Sequence, residues 1–517
     1  MNITSLFFSI LFLSCIGVSC ASPRQAERVY FRSTDYKNED FAPHIREAIR
    51  QGAKKIVLSR GDYLLESILE ISGADGIQII GHRSRLLLAS VQAYKGPAIL
   101  KIYNSNGIKL KNLLIDGRRD ENNTPRLIHS IFIYNSSDLI LKGITINNSL
   151  GDGIQIASNL ESTEGFSRNI LIKKCHVDNS GRNGISLINC NHVRILRSSF
   201  THSHGEAPEA GIDIEPDEDK LRPGINYLVI KRVKCLDNAG NGIAIPHKGA
   251  PQHIRILKCD LQRNLIGIWT CGIHIGIKKC NIAFNRSYGI CSIRYPEFNI
   301  PPDSIRISKN SIANNQLGIY YRGQGGIIEG NKISNTLDEG IEIRKNNEEE
   351  HSVIIRNNRI SGIGGYSAIA SDFDKCDIID NRIRNCNRNG ISLHRGINKV
   401  FKNYITSCDE YSILVNDAYC EIVNNVIKDG SKDFIWFNGF MQLNTSGTIE
   451  NNKLIRSLPG NQLFIYDSSG RISKYLNNSL KIAGDKKGTV VLRKLPPEFN
   501  DKDQAVEFSE VNRHNNN

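Results

Sequence analysis

Downstream of about residue 100, hydrophobic and polar positions follow one short pattern that recurs along the chain. The pattern is apolar–x–apolar–x–x–Asn–x–apolar, with clear copies at 305–312 and 353–360. It returns every 21 to 35 residues, a period typical of solenoid proteins rather than of conventional globular domains. Its sixth position is occupied in turn by Asn112, Gly143, Cys175, Ser198, Val233, Cys259, Cys280, Asn310, Asn331, Asn358, Asn381, Asn403, Asn425 and Asn452.

The residues within each repeat predict strands and tight corners. Alternation with a period of two, rich in Ile, Val and Leu, indicates strands with one buried face. A second phrase, Asn-Gly-Ile, follows about ten residues later, as at 183–185, 241–243 and 389–391. Its Gly suits a tight corner. Short strands with no room for a helix between them predict an all-β parallel coil with strands stacked at about 4.8 Å. The Leu-x-x-Leu-x-Leu consensus of leucine-rich repeats is absent.

These repeats resemble the right-handed parallel β-helix superfamily of carbohydrate-active proteins, which includes pectate lyases, polygalacturonases and alginate epimerases. The likeness covers most of residues 40–455, and 41–49 is similar to the amphipathic helix that caps the first coil in that superfamily. The resemblance implies a right-handed parallel β-helix with an N-terminal capping helix. We expect a signal peptide at 1–21, the cap and first coil at 22–69, the β-helix at 70–455, and end coils with a polar tail at 456–517.

The first 21 residues predict export from the cytoplasm. An apolar run, Leu6–Val18, is followed by small residues and a cleavage site after Ala21, although no basic residue precedes the run. The run is too short to span a bilayer comfortably. Because 17–20 also resembles a bacterial lipoprotein box, a lipid anchor at Cys20 is the alternative to free secretion. The expected location is secreted, periplasmic or at the outer membrane.

Cysteine content does not indicate a disulfide framework. Thirteen Cys are present, and the eleven beyond the signal are scattered at irregular spacings. Cys175, Cys259 and Cys280 occupy the repeat position otherwise held by Asn, so we expect them to be buried at a bend. No paired Cys or His at zinc spacing appears, and we expect neither a structural metal nor a cofactor.

The charge balance favours an anionic partner. The formal net charge is +13. The basic residues are spread along the coils without a clustered arm, which argues against nucleic acid. Together with the resemblance, this charge predicts a polysaccharide partner, acidic in character. The alternative is a solvated basic surface with no specific partner.

The most conspicuous candidate site is 211–219, where carboxylates concentrate in a basic chain. Ile212 and Ile214 are predicted to point inward, so Asp213 and Glu215 project from the same face with Cα atoms about 7 Å apart. Crowded carboxylates raise at least one pKa, which is how a general acid for neutral pH arises. The alternative is an ordinary solvent-facing pair. The hypothesis places the pair in an exposed groove.

Residues around this pair complete the predicted site. His247 is a candidate base, and the predicted substrate-binding residues are His204, Lys248, Trp269, Tyr320, Arg322 and Arg344. Trp269 suits stacking on a sugar ring, and the two Arg suit carboxylates or sulfates. The alternative for Arg344 is a surface ion pair with Glu342. Asp152 and Asp116 are interpreted as turn residues.

Motifs of the named families are incomplete, so no family residue is carried over. The polygalacturonase set and the alginate-epimerase Asp-Pro-His motif are absent. Three hypotheses remain. The first is a glycoside hydrolase that uses Asp213 and Glu215. The second is a lyase or epimerase on uronic-acid polymers, which needs a base and Arg or Ca²⁺, the latter near Asp217 and Asp219. The third is a non-catalytic glycan-binding surface protein.

Overall fold

The structure is a computed structural model that describes 27–119, 127–159, 166–217, 224–246, 251–293, 304–345, 352–430, 432–438, 445–457, 465–469, 471–482 and 492–494. The predicted signal peptide and the anchor at Cys20 lie outside these residues. Within them, no helix has the length and apolar character that a bilayer crossing requires.

The chain winds as a right-handed parallel β-solenoid, as predicted. One coil shows the plan: Ile185–Leu187 belongs to sheet A, Cys190–Leu196 to sheet B and Ser199–Thr201 to sheet C. Each strand pairs in parallel with its equivalent one coil away, for example Ile185 with Ile212. The chain therefore passes from A to B to C before it begins the next coil.

The strands of the three sheets have the following bounds. Sheet A contains Leu69–Ser72, Ala98–Tyr103, His129–Tyr134, Ile154–Ala157, Ile185–Leu187, Ile212–Ile214, Ile243–Ile245, Ile268–Thr270, Tyr288–Ile293, Leu317–Arg322, Ile341–Arg344, Ser367–Asp372, Asn389–Leu393, Ile413–Asn416, Ile435–Asn438, Ile465–Asp467 and Leu492–Lys494. Sheet B contains Arg28–Phe31, Lys55–Leu58, Ile140–Lys142, Ser167–Lys173, Cys190–Leu196, Ile225–Lys231, Gln252–Leu257, Gly276–Lys278, Ile305–Ser308, Gly326–Glu329, Val353–Arg356, Lys375–Ile379, Ile397–Phe401, Tyr419–Val423, Ser446–Glu450 and Ile472–Leu476. Sheet C contains Gly61–Leu65, Thr145–Asn147, His176–Asp178, Ser199–Thr201, Lys234–Leu236, Asp260–Gln262, Asn281–Ala283, Ser311–Ala313, Lys332–Thr336, Arg359–Ile363, Arg382–Cys386, Tyr404–Cys408, Val426–Lys428, Lys453–Arg456 and Ser479–Ile482. Gln78–Leu88 and Lys109–Asp116 run through the bend from B into C.

A short helix closes the N-terminal end of the stack. It spans Ala42–Arg50, after a 3₁₀ turn at Ser33–Tyr36, and Pro43 at its first turn supplies a fixed φ where no backbone donor is needed. Ala42, Ile45 and Ala48 are buried against the first coils. The helix covers an apolar cross-section that would otherwise face water.

At the bend between sheets B and C, a residue with left-handed backbone angles is followed by a residue whose side chain is buried. Lys309, Asn357 and Lys402 have φ of 56°, 57° and 57°, and each precedes a buried Asn. The predicted pattern fits this geometry from Cys175 onward. It is wrong by one residue at its first two positions. There Asn112 and Gly143 take the left-handed position at φ of 54° and 67°, and the residues after them are the buried ones.

The buried Asn side chains form a continuous amide ladder. Asn331 Nδ2 donates to Asn358 Oδ1 at 3.0 Å and to the Ile307 carbonyl at 3.0 Å. Asn358 Oδ1 also accepts from the Asn331 backbone N–H at 2.9 Å. The same bonds recur from Asn310 through Asn478. Each side chain therefore satisfies buried backbone groups of its neighbours, which confirms the predicted burial.

The described cysteines are buried and free, as expected of small apolar residues in a stack. Cys175, Cys259 and Cys280 are 0%, 2% and 2% exposed at the position that Asn holds in later coils. The Cys259 backbone N–H donates to Cys280 Sγ at 3.5 Å. Sulfur thus replaces the amide as a weaker acceptor at this point of the ladder.

Candidate active site

Asp213 and Glu215 lie at the outer face of sheet A. Ile212 and Ile214 are fully buried, as predicted, and Asp213 between them is buried too. Asp213 pairs in register with Ser186 on one side and Ala244 on the other. The outward column continues through Trp269, Cys291, Tyr320 and Glu342.

Arg182, which sequence reasoning did not single out, connects three coils. It leaves the turn before sheet A and holds Glu215, one coil later, with Nη1–Oε1 at 2.9 Å and Nη2–Oε2 at 2.8 Å. Its Nη1 also lies 3.2 Å from Ser186 Oγ and 3.2 Å from Asp152 Oδ2, one coil earlier. Burial opposes the charge, but the bonds to Glu215 and the nearby Asp152 raise the pKa of Arg182. A permanent cation therefore lies at the centre of the cluster.

Asp213 is buried and retains its proton at neutral pH. It is 3% exposed, which makes the expectation of an exposed groove wrong for this residue, because Arg182, Asn183 and Ser186 surround it. Asn183 Nδ2 donates to Asp213 Oδ2 at 3.2 Å. Burial first, and the neighbouring Glu215 second, raise the pKa of Asp213 to about 8.

The two members of this dyad differ in access to solvent. The Glu215 side chain is 27% exposed, whereas Asp213 is nearly covered. The raised pKa keeps a proton on Asp213 at neutral pH, beside a Glu215 side chain that is paired with Arg182. A ligand can reach Glu215, whereas the covered Asp213 holds a proton beside it.

Asp152 and His129 extend the cluster toward the N-terminus. Asp152 was interpreted as a turn residue, but its carboxylate is fully buried and accepts the Asn183 backbone N–H at 3.0 Å. Burial raises the pKa of Asp152. Burial also lowers the pKa of His129, whose Nδ1 accepts the Asp152 N–H at 3.1 Å. A neutral His129 with its proton on Nε2 therefore borders Asp152, which shares Arg182 with Glu215.

His204 and Trp269 are not in contact with the dyad. His204 is exposed on the turn before sheet A, where its Nδ1 lies 3.3 Å from Arg119 Nη1. Trp269 is half-buried in the same outward column as Asp213, two coils further on. The structure therefore places Trp269 along the axis from Asp213, which suits a long ligand rather than a small one.

Of the two Arg predicted to bind anions, Arg344 is paired with carboxylates and Arg322 bonds a backbone carbonyl. Arg344 Nε donates to Glu342 Oε1 at 2.7 Å, and its Nη1 lies 3.8 Å from Asp372. This is the surface ion pair that sequence analysis kept as an alternative. Arg322 donates through Nε to the Lys345 carbonyl at 3.2 Å. Tyr320 lies beside them, its ring 5.5 Å from that of Tyr288.

Several predicted residues lie outside the described part of the chain: His247, Lys248 and Asp219. Asp217 is described, and its Oδ2 accepts from Asn189 Nδ2 at 2.9 Å. The described residues contain no group of three His, Cys, Asp or Glu arranged to hold a metal. The roles of these residues, and Ca²⁺ near Asp217, stay predictions.

A sequence signal for Arg182 did exist. The corner Gly181-Arg182-Asn183-Gly184 places a long basic side chain one coil before Asp213 and Glu215. The carboxyl groups were aligned with residues on strands only. Arg182, Asn183 and Asp152 occupy turns that precede strands, so an outward column built from strand positions does not contain them.

Comparison with known proteins identifies the family. The family described as "Right handed beta helix region" matches residues 56–222, 162–300 and 297–454, which is most of the chain. A curated relative, the SPbeta prophage-derived uncharacterized protein YorA of Bacillus subtilis (strain 168), is 22% identical over 312 residues. That match covers 54% of this chain and 52% of the relative, so this chain spans about half of that relative's length.

Solved structures with the same fold come from different kinds of protein. The N-terminal fragment of gene product 12 of bacteriophage Phi29 superposes with a TM-score of 0.50 at 12% identity, covering 94% of this chain and 96% of the fragment. The A-module of mannuronan C-5 epimerase AlgE4 from Azotobacter vinelandii has a TM-score of 0.44 at 13% identity, covering 75% and 99%. At these identities the likeness shows the fold alone.

Proposed function

The chain belongs to the right-handed β-helix family, and we propose that it cleaves a uronic-acid polysaccharide by acid–base catalysis at Asp213 and Glu215. The observation that supports this is the placement of a buried Asp213, with its pKa raised to about 8, beside the more accessible Glu215 and Arg182. A carboxyl pair with one member protonated can accept one proton and return another. Solved β-helix neighbours include enzymes named for polysaccharides, which is compatible with this class of substrate.

The placement of the carboxyl groups favours elimination over hydrolysis. Two-carboxyl hydrolysis of a glycosidic bond uses groups about 5–5.5 Å apart for retention or about 6.5–9.5 Å apart for inversion, on either side of the scissile bond. Asp213 and Glu215 are two residues apart and are bonded by the neighbouring Asn183 and Arg182, so both approach a substrate from the same side. Elimination across C4 and C5 of a uronate needs proton removal and proton return, and one face can supply both.

The proposed step balances within the dyad. Glu215, the accessible member, takes the C5 proton while the C5–H electron pair forms the C4–C5 double bond. The C4–O4 bond breaks, and O4 leaves with a proton that the dyad supplies from Asp213. The dyad begins and ends with one proton. Arg182, 2.8 Å from Glu215, provides the positive charge that stabilises the enolate-like uronate as it forms.

Product chemistry tests the proposal. The purified chain is incubated with polygalacturonate and with alginate, and both ultraviolet absorbance and reducing ends are measured. An unsaturated product absorbs, and we expect Asp213→Asn and Glu215→Gln to lower its rate by about 10²–10⁴-fold. Glu342→Gln is the matched control, because that carboxylate lies in the same outward column but pairs with Arg344. Its rate should stay near that of the parent chain.

The alternatives give different products. Reducing ends without absorbance would establish hydrolysis, for which a protonated Asp213 would serve as the acid. Binding with neither product would establish a glycan-binding surface protein. Retention of activity by both dyad variants would refute the assignment of the dyad.

Export is the second part of the proposal. We propose that residues 1–21 direct the chain out of the cytoplasm, where such polymers occur, with a lipid anchor at Cys20 as the alternative to a free N-terminus. Mass spectrometry of the mature N-terminus distinguishes cleavage after Ala21 from a lipidated Cys20, and an intact Met1 would refute both.

A further inference from the structure

Sheet C carries a row of basic side chains on its outer face. Lys332, Arg359 and Arg382 occupy equivalent positions in three consecutive coils, paired in register. Adjacent strands lie about 4.8 Å apart, so the three cations follow one another at that step along the axis. All three are exposed, as is Arg384 beside Arg382. We call Lys332, Arg359, Arg382 and Arg384 the sheet C track.

The track lines a groove of about 980 Å³. Lys402, at the bend between sheets B and C, adds a further cation at its edge, and Tyr404 continues the row of Arg382 by one coil. Asp380 is the one carboxylate among the lining residues. The groove therefore has five cations against one anion.

Within the described part of the chain, the cations of the track have no carboxylate partner, unlike other basic residues of the solenoid. Arg306 and Arg356 both pair with Glu329, and Arg263 pairs with Asp237 at 2.6 Å. Among the described residues, no carboxylate lies within 4 Å of any track cation. Like charges placed directly opposite on adjacent strands destabilise a sheet. An arrangement of this kind becomes favourable when an anionic ligand neutralises it.

We propose that the sheet C track binds a linear acidic polysaccharide that lies along the solenoid axis. An extended uronate polymer carries one carboxylate per sugar, so a chain that lies along the axis presents a row of anions to the row of cations. Arg359 and Arg382 present planar donor pairs that suit carboxylates. The track is a binding site separate from Asp213 and Glu215, four coils further along the axis, or about 19 Å, and on another sheet.

Nucleic acid is the other polyanion that five cations would attract, and the track fits it less well. Proteins that bind single strands combine cations with aromatic rings on which successive bases stack. Tyr404 is the one aromatic side chain among the groove's lining residues. Evenly spaced cations with a single ring therefore favour a polymer recognised by its charge.

Binding measurements on the full chain test the track. The affinity for fluorescently labelled polygalacturonate is measured at 0.1 M and 0.5 M salt, with neutral dextran and a single-stranded oligonucleotide as competitors. We expect the double variant Arg359→Gln with Arg382→Gln to weaken polygalacturonate binding at least tenfold at 0.1 M salt. It should also flatten the salt dependence, because fewer counterions are released on binding.

A matched control separates the track from net charge. Arg306→Gln with Arg356→Gln removes the same two charges from sheet B, where both side chains are committed to Glu329. We expect less than a twofold change in that variant. Equal weakening by the two double variants would overturn the proposal, because net charge alone would explain it. Competition by the oligonucleotide but not by unlabelled polygalacturonate would also overturn it.

This inference does not depend on the proposed enzymatic activity. The ultraviolet product assay reports on Asp213 and Glu215, whereas the affinity reports on the track. Track-dependent binding without product would support the track and refute the lyase. Product formation with unchanged affinity in the Arg359 and Arg382 variant would support the lyase and refute the track.

Discussion

Replacing Asp213 by Asn should stabilise the protein at alkaline pH while abolishing its activity. In the folded chain a protonated Asp213 lies beside Glu215 and accepts from Asn183 Nδ2 at 3.2 Å. An Asn side chain has nearly the same shape, and its oxygen can keep the bond from Asn183. It cannot ionise. The variant therefore keeps the contacts of the site and removes its titration.

The magnitude follows from the difference in pKa between the unfolded and folded chains. The pKa of Asp213 rises from 3.8 to about 8 on folding, so the folded chain holds this proton more tightly than the unfolded chain. The stability from this group is complete below the unfolded pKa and is lost as pH rises through the folded pKa. At about 1.36 kcal/mol per pKa unit, the parent chain loses about 4 kcal/mol between pH 5 and pH 9 through this group. Asp213→Asn avoids that loss.

Urea unfolding at pH 5, 7 and 9 measures the effect. We expect the unfolding midpoint of Asp213→Asn, relative to the parent, to rise steadily over this range. Asp237→Asn is the control, because the bond to Arg263 lowers the pKa of Asp237 instead of raising it. Removing this carboxyl group should therefore not raise the unfolding midpoint at high pH relative to the parent. A midpoint difference that is the same at pH 5 and pH 9 would refute the claim that Asp213 is protonated in the folded protein.

Three further changes test the cluster and the coil. Arg182→Gln should destabilise the chain by about 3–5 kcal/mol because it leaves buried carboxyl groups unpaired. The control Arg263→Gln changes an exposed ion pair and should cost at most about 1 kcal/mol. Equal urea midpoints for the two variants would contradict this prediction. Asn358→Ala removes its amide bonds to the ladder, at about 1 kcal/mol each, and should lower the unfolding midpoint well below that of the exposed Asn281→Ala. Gly242→Ala should also lower it, since an added Cβ would lie 2.6 Å from the Gly267 carbonyl oxygen; an unchanged midpoint would show that the corner can widen.

The fold could be predicted because the structural repeat of a solenoid appears as a repeat in its sequence. Every coil needs inward apolar side chains and a bend, so the same pattern returns in each coil, and the predicted register is confirmed from Cys175 onward. The error at Asn112 and Gly143 has a physical cause. Asn suits both the left-handed bend residue and the buried ladder residue that follows it, and an isolated Asn does not show which of the two it occupies.

The candidate site was only partly predictable. Alternation alone places Asp213 and Glu215 on one face of a strand, and that placement is confirmed. Their environment depends on Arg182, whose side chain crosses from a turn to the next coil. Side chains as long as Arg reach beyond their own column, so columns built from strand positions do not reveal which carboxyl groups they will contact. The same limit hid the burial of Asp152.

Charge in a solenoid has to be judged coil by coil. Arg344 and Arg359 are both outward Arg residues of one basic chain, yet only Arg344 has a carboxylate partner, Glu342, two residues earlier on its own strand. The neighbours of Arg359 in register are Lys332 and Arg382, so its charge is reinforced rather than cancelled. A net charge of +13 therefore says little about where an anion binds. The binding surface is the place where equivalent positions of successive coils repeat the same sign, because only there does the field of one coil add to that of the next.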